Sequence, residues 1–172
     1  MANLATPEAL CARWEEVLND PSLRDLPYKI ELNAWGKLEM APRSNRRGRL
    51  AGEISAALVE QLQGSVFISC SILTASGIRT PDVAWASPEF MQAFGEMTPY
   101  VRAPEICVEI VSERTVAAEV AEKTAAYFAV GALEVWLVSE GGSVRFVGPA
   151  GDQEKSRFPI SFSLPAPLTR RP

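Results

Sequence analysis

The segment PEICVEIVSERTVAAEVAEKTAAYFAVGALEVWLV, residues 104–138, decides the fold of this chain. It opens with the apolar run EICVEIVS (105–112), which is typical of a strand that is buried on both faces. Residues 115–130 carry apolar side chains at helical spacing and end at Gly131, and LEVWLV (133–138) is a second apolar run. The order of strand, helix and strand predicts a β-α-β unit whose two strands run parallel with a right-handed crossover.

Further elements are predicted on both sides of this unit. Alternating apolar and polar residues at 28–40 predict a β-hairpin, and helical periodicity predicts helices at 7–19 and 49–63. The stretch 87–104 contains several turn-forming residues and is predicted to be a loop. The remaining predicted strands are 66–73, 82–86, 143–148 and an edge strand at 160–164. The fold class is therefore α/β, or α+β, with a central mixed sheet flanked by helices.

The length and composition fit one domain. The chain has 172 residues, of which 47% are hydrophobic and 22% charged, and single domains have roughly 100–200 residues. We expect one domain over 1–172, with a core at about 27–165 and an N-terminal helix within 1–25. No apolar run approaches the ~18–20 residues that cross a bilayer, so no membrane partner is expected. Three cysteines at scattered positions predict free thiols and a cytoplasmic protein.

The chain contains no histidine, and this excludes several enzyme classes. Ser-His-Asp and Cys-His hydrolases need an imidazole base, and common catalytic zinc sites need histidine ligands. The net charge of −4 argues against a surface that binds nucleic acid throughout, although it allows a local basic patch.

Three ionisable residues interrupt patterns that are otherwise apolar. Glu109 lies in the middle of the strand at 105–112, where an unpaired buried carboxylate is costly. At ~100° per residue, Lys123 falls on the apolar face of the helix at 115–130. Asp82 opens the strand at 82–86 directly after a proline, where the alternative interpretation is an Asx-type turn or a residue that starts the strand. Two carboxylates on neighbouring strands form an oxygen-rich site that suits Mg²⁺, and a nearby lysine can orient a water for attack on a phosphodiester.

These residues, in this order, resemble a known family of nucleases. The matching stretches are RTPDVAWAS, PEICVEIVSERT and KTAAYFAVGALEVWLV. The ordered set of Pro-Asp, a glutamate within a strand, Lys-x3-Tyr-x3-Gly and Glu-x-Trp is similar to the PD-(D/E)XK nuclease superfamily. Within it, the chain resembles the Uma-two family of putative restriction endonucleases over roughly residues 27–165.

The resemblance implies a restriction-endonuclease-like core and a role for each matching residue. Asp82 and Glu109 would be ligands of Mg²⁺ or Mn²⁺, and the substrate would be DNA. The usual superfamily lysine falls on Val111, and Lys123 on the following helix would replace it. Glu53 on the preceding helix is a further candidate ligand, with a solvated acid as the alternative interpretation.

Two further expectations concern nucleic acid and assembly. Four arginines between positions 43 and 49 form either a contact to the phosphate backbone or a solvated loop; they are Arg43, Arg46, Arg47 and Arg49. A homodimer is expected because duplex cleavage needs two cuts. The alternative to an endonuclease is a catalytically inactive relative that serves as a binding or assembly module. In that case Glu109 and Lys123 would form a structural ion pair.

Overall fold

The computed structural model describes residues 4–168, and these contain four helices and ten strands in two sheets. The mixed α and β class is therefore confirmed. The first three and last four residues of the predicted domain lie outside the described range. None of the described helices is long and apolar enough to cross a membrane. In chain order the elements are α1 (Pro7–Asn19), β1 (Tyr28–Asn33), β2 (Leu38–Pro42), α2 (Asn45–Gln61), β3 (Ser65–Ile68), β4 (Ile72–Thr74), β5 (Gly77–Arg79), β6 (Val83–Ala86), α3 (Pro88–Phe94), β7 (Ile106–Val111), α4 (Ala117–Ala129), β8 (Glu134–Ser139), β9 (Val144–Gly148) and β10 (Gly151–Gln153).

The larger sheet is mixed, as predicted. Its strand order is β10-β9-β8-β7-β6-β3, and only the β7–β8 pair is parallel. Helix α4 makes the crossover between these two strands. One face of the sheet packs on α2 through Leu50, Ile54 and Leu58, and the other face packs on α4 through Tyr127. Side chains that alternate along β7 therefore point towards different helices.

The smaller sheet is antiparallel, with the order β2-β1-β5-β4. The predicted hairpin is confirmed, since β1 pairs with β2 in register from Tyr28 opposite Pro42 to Leu32 opposite Leu38. Leu32 and Ile78 pack against α1. Because strand side chains alternate, β1 directs Leu32 towards α1 and its neighbour on the other face, Glu31, away from it.

Two predicted segments contain a break or an element that the sequence pattern did not indicate. The apolar run at 66–73 is divided between the sheets, because Ser69 has φ 58° and the chain leaves β3 there to enter β4. Residues beyond this break bond to Tyr100, whose carbonyl accepts from the Leu73 N–H at 2.8 Å. The predicted loop at 87–104 contains α3, which begins after Ser87 as N-cap.

The predicted edge strand at 160–164 does not form. These residues pair with no strand and instead pack on the core beside α2 and β8. Gln61 bonds both the N–H and the carbonyl of Ser161, while Phe162 stacks on Trp136 with ring centroids 5.3 Å apart. The alternation that suggested a strand instead reflects a segment with apolar residues packed on the core at every second position.

Candidate active site

A cleft of about 1520 Å³ opens where the two sheets meet. The chain passes from β5 in the smaller sheet to β6 in the larger one through residues 80–82. Strands β1 and β7 and the helix α4 border the same junction. Charged side chains from both sheets therefore meet here, although they are far apart in the sequence.

Asp82 lies at this passage, and three donors contact its carboxylate. Its backbone N–H donates to the Val108 carbonyl at 2.8 Å, which fixes the residue beside β7. Its Oδ2 accepts from the Ile110 N–H and from Arg47 Nη2, each at 2.7 Å, and its Oδ1 lies 3.3 Å from Lys29 Nζ. Burial raises the pKa of this carboxyl, but Lys29, Arg47 and the backbone N–H outweigh burial and hold the pKa below its ordinary value.

Glu109 projects from the middle of β7 and is 6% exposed. Its Oε1 accepts from the Tyr127 hydroxyl at 2.7 Å, and its Oε2 accepts from Lys29 Nζ at 2.9 Å. Burial, followed by the Glu109 charge, raises the pKa of the Tyr127 phenol well above its usual value, so the hydroxyl remains a donor. Tyr127 and Lys29 thus compensate the buried carboxylate of Glu109, and the need for such partners was predicted from its place in an apolar strand.

Lys29 of β1 supplies that compensation. It is 4% exposed, and its ammonium lies between Asp82 and Glu109, with Glu31 Oε1 at 4.0 Å. Burial lowers the pKa of this lysine, but the three carboxylates more than reverse the effect and raise it. One oxygen of Asp82 and one of Glu109 therefore converge on a single ammonium group.

Lys123 contacts a different acid from the one expected. Its side chain is 22% exposed, and its Nζ lies 2.6 Å from Glu31 Oε2. The predicted ion pair between Glu109 and Lys123 is therefore wrong, because Lys29 takes Glu109 and Glu31 takes Lys123. Lys123 is connected to Asp82 and Glu109 indirectly: it contacts Glu31, Glu31 contacts Lys29, and Lys29 contacts both acids.

Glu31 is the central acid of this network. Its Oε1 accepts from the Thr80 N–H at 2.8 Å, and its Oε2 lies 3.6 Å from Arg79 Nη1. Burial raises the pKa of Glu31, but Lys29 and Lys123 outweigh burial and lower it below the usual value. Arg79 also contacts Glu39 at 2.6 Å, which joins the network to the rim of the cleft.

Glu53 lies apart from these residues. Its side chain is 49% exposed, and its only ion pair within residues 4–168 is with Arg49 at 3.9 Å. It is not among the residues that line the cleft. Its position agrees with the alternative interpretation, a solvated acid, because α2 directs this side chain to the surface.

The four predicted arginines separate into two pairs. Arg46 and Arg47 line the cleft, because α2 begins four residues earlier than predicted and places both in its first turn. Arg46 donates to the Glu140 and Pro165 carbonyls. Arg43 is exposed and bonds Ser69, and Arg49 is exposed beside Glu53, so neither lines the cleft.

Four groups of the site were not predicted from the sequence: Lys29, Glu31, Arg79 and the hydroxyl of Tyr127. The alternation at 28–40 predicted a hairpin but gave no role to its polar residues. The available signal was the spacing Lys-x-Glu on one face of a strand, together with Arg79 and Asp82 on either side of the short passage between two further strands. These opposite charges can compensate each other only if the two strands come together.

The cleft carries nearly balanced charge. Six cationic and seven acidic side chains line it, and most of the acids lie on the exposed rim. Within residues 4–168, no three His, Cys, Asp or Glu side chains are arranged as a ready metal centre. The candidate ligands are thus the pair Asp82 and Glu109, with Lys29 between them.

Comparison with known proteins agrees with this architecture. A sequence model of the Uma2 (Uma-two) family, described as putative restriction endonuclease, matches residues 14–159. The crystal structure of a putative nuclease belonging to DUF820 from Anabaena variabilis ATCC 29413 is similar in fold, with a TM-score of 0.57. It shares 16% sequence identity, and the match covers 83% of this chain and 81% of that one. No curated protein matches the chain.

Proposed function

This chain belongs to the Uma2 family of putative restriction endonucleases, and from that premise we propose that it hydrolyses DNA phosphodiester bonds with Mg²⁺ or Mn²⁺. One observation carries the proposal: Asp82 and Glu109 turn one oxygen each to the same point, the ammonium of Lys29, and Lys29 and Glu109 line the cleft. Nucleases of the restriction-endonuclease-like class generally use divalent metals, and a pair of converging carboxylates meets that need.

The donor set fits a hard divalent cation. Mg²⁺ is commonly held by one or two carboxylates together with waters and substrate phosphates. Asp82 and Glu109 would supply the carboxylates, and the place where their oxygens converge already holds a positive charge, that of Lys29. When bound, a divalent cation would polarise a phosphoryl oxygen and stabilise the charge that develops on it.

The remaining side chains have roles that follow from their contacts. Lys123 borders the cleft, and its ammonium can orient the attacking water and offset charge on the phosphoryl group. Glu31 holds that ammonium in place at 2.6 Å. Arg47 and Arg46 lie at the cleft and are the candidates for contacts to the phosphate backbone.

The test is cleavage of a supercoiled plasmid with Mg²⁺, with Mn²⁺ and with EDTA. We expect the wild type to nick DNA only with metal, and Lys123→Ala to cleave roughly 10²-fold more slowly, as for the loss of one transition-state donor. An RNA duplex of matched sequence separates DNA from RNA as substrate. Equal cleavage by both variants would remove Lys123 from the mechanism, and no cleavage by the wild type would overturn the endonuclease proposal.

A second function is favoured by the balance of charge. Each oxygen of Asp82 and Glu109 already has a donor from the chain, so the network is neutralised without metal. That arrangement suits an inactive relative that acts as a binding or assembly module. Thermal unfolding separates the two functions. A metal site predicts a melting temperature that rises with Mg²⁺ concentration, and a module predicts no change.

Assembly and location belong to the same proposal. Cleavage of both strands of a duplex needs two sites, so we expect a homodimer, which sedimentation with and without DNA would measure. The free thiols Cys11, Cys70 and Cys107 fit a reducing cytoplasm. Burial raises the pKa of Cys70 to about 12, which disfavours the reactive thiolate form.

A further inference from the structure

We propose that the Lys29 ammonium is a built-in counter-cation, which a divalent ion must displace from between Asp82 and Glu109 before it binds. Lys29 would then be a positioning residue that sets the metal affinity of the site. The inference rests on the proposed metal-dependent function and concerns the same site.

The first support is the place of the ammonium. Its nitrogen lies 2.9 Å from Glu109 Oε2 and 3.3 Å from Asp82 Oδ1, and these are the oxygens that a cation shared by the two acids would need. The other oxygen of each acid is occupied by a neutral or cationic donor: Tyr127 bonds Glu109, and Ile110 and Arg47 bond Asp82. No second point is therefore left at which both acids offer a free oxygen.

The second support is burial. Lys29 is 4% exposed, so its charge is not diluted by water, and it cannot share the site with an ion at ordinary contact distances. Without a cation, Asp82 and Glu109 would repel each other in a medium of low dielectric. Lys29 thus keeps the two oxygens converged in the metal-free protein.

The third support is the contrast with Lys123. Both lysines contact Glu31, but only Lys29 also contacts Asp82 and Glu109. Removal of either lysine subtracts one positive charge from the network. Only the removal of Lys29 vacates the position between the two ligands.

The experiment measures metal affinity without any substrate. Mn²⁺ is titrated into the full chain and the free ion is followed by electron paramagnetic resonance, while Mg²⁺-dependent melting is recorded in parallel. We expect Lys29→Met to bind Mn²⁺ at least tenfold more tightly than the wild type, and to lose stability in EDTA that metal restores. Lys123→Met should raise the affinity less than threefold, and the exposed Lys37→Met should leave it unchanged.

The outcomes separate this inference from the nuclease proposal. Equal affinity in Lys29→Met and the wild type, or an equal gain in Lys29→Met and Lys123→Met, would overturn displacement while leaving the nuclease proposal intact. Tighter binding by Lys29→Met with no DNA cleavage by the wild type would support displacement and reject the nuclease. Should Lys29→Met not fold in EDTA, Lys29→Gln, which keeps a hydrogen-bond donor, carries the same comparison.

Discussion

Two buried glutamates on adjacent strands of this protein are stabilised in opposite ways. Glu109 of β7 and Glu134 of β8 are 6% and 0% exposed. Glu109 is paired with a lysine and a tyrosine on the α4 side of the sheet, at the cleft. Glu134 faces the α2 side, where neutral groups alone bond it: Trp136 and Ser156, each at 2.6 Å, and the Arg157 N–H at 2.8 Å.

The difference indicates what marks a site in this fold. A buried carboxylate alone is no signal, because neutral donors can satisfy it, and the bonds of Glu134 fasten the segment after β10 to the sheet. A buried carboxylate that is paired with a buried ammonium stays negatively charged, and another cation can compete with the ammonium for it. The cleft beside Glu109 adds access, which Glu134 lacks.

The largest expected effect separates the two glutamates by activity. Glu109→Gln removes a proposed metal ligand, so plasmid cleavage should fall by about 10³-fold, the upper range for one electrostatic group in a catalytic site. Glu134→Gln should leave the cleavage rate unchanged and lower the free energy of unfolding by ~1–3 kcal/mol, because an amide N–H₂ would face a donor. Urea unfolding and plasmid nicking of both variants measure this. A comparable loss of cleavage in Glu109→Gln and Glu134→Gln would contradict this distinction between the two glutamates.

The second prediction concerns the charge that distinguishes the cleft network. Glu31→Gln leaves Lys29, Lys123 and Arg79 without their shared acid, and breaking a buried ion pair costs ~3–5 kcal/mol. We expect a loss near 3 kcal/mol at pH 7 in urea unfolding. Glu39→Gln is the control, because it removes an exposed partner of Arg79 and should cost less than about 1 kcal/mol.

This loss should depend on pH in a defined direction. The pKa of Glu31 is lower in the folded protein than its ordinary 4.5, so its contribution to stability is present above about pH 4.5. The contribution disappears as the pH falls through the folded pKa. The difference in stability between wild type and Glu31→Gln should therefore shrink from pH 7 to pH 3. A difference that is constant over this range would contradict the charge assignment.

A third prediction tests how Glu109 is positioned. Tyr127→Phe removes the hydroxyl that donates to Glu109 Oε1, and a bond to a charged group contributes ~1.5–3 kcal/mol. We expect a loss near 1.5 kcal/mol and roughly tenfold slower cleavage, with metal affinity reduced in proportion. Tyr100→Phe is the matched control, since its hydroxyl donates to the neutral Gly95 carbonyl away from the cleft. It should lose about 1 kcal/mol and no activity.

The sequence predicted the acids better than it predicted their partners. Glu109 stands out because a charge within an unbroken apolar strand is visible along the chain, and the position of Lys123 on an apolar helix face is equally local. Lys29 and Glu31 were missed because an alternating strand has the same pattern whether its polar face meets water or a second sheet. Which cation meets which acid depends on contacts between Lys29 and Glu109, 80 residues apart.

The same limit explains the errors in the fold. The order of strand, helix and strand from 105 to 138 is encoded locally and was predicted closely. The division of 66–73 between two sheets was not, because it depends on the backbone at Ser69 and on pairing with Tyr100. Patterns of burial thus predict elements, while the junction that forms the cleft is a property of tertiary structure.

The smallest expected effect concerns Glu53, the acid that the family resemblance offered as a third ligand. It is half-exposed on α2, and its pair with Arg49 at 3.9 Å is screened by water, so Glu53→Gln should change the free energy of unfolding by no more than about 0.5 kcal/mol. Mn²⁺ affinity and plasmid cleavage should equal those of the wild type. A tenfold loss of either would mean that α2 turns this side chain into the cleft when metal or DNA binds. The outer face of α2 would then belong to the functional site together with the charged cleft.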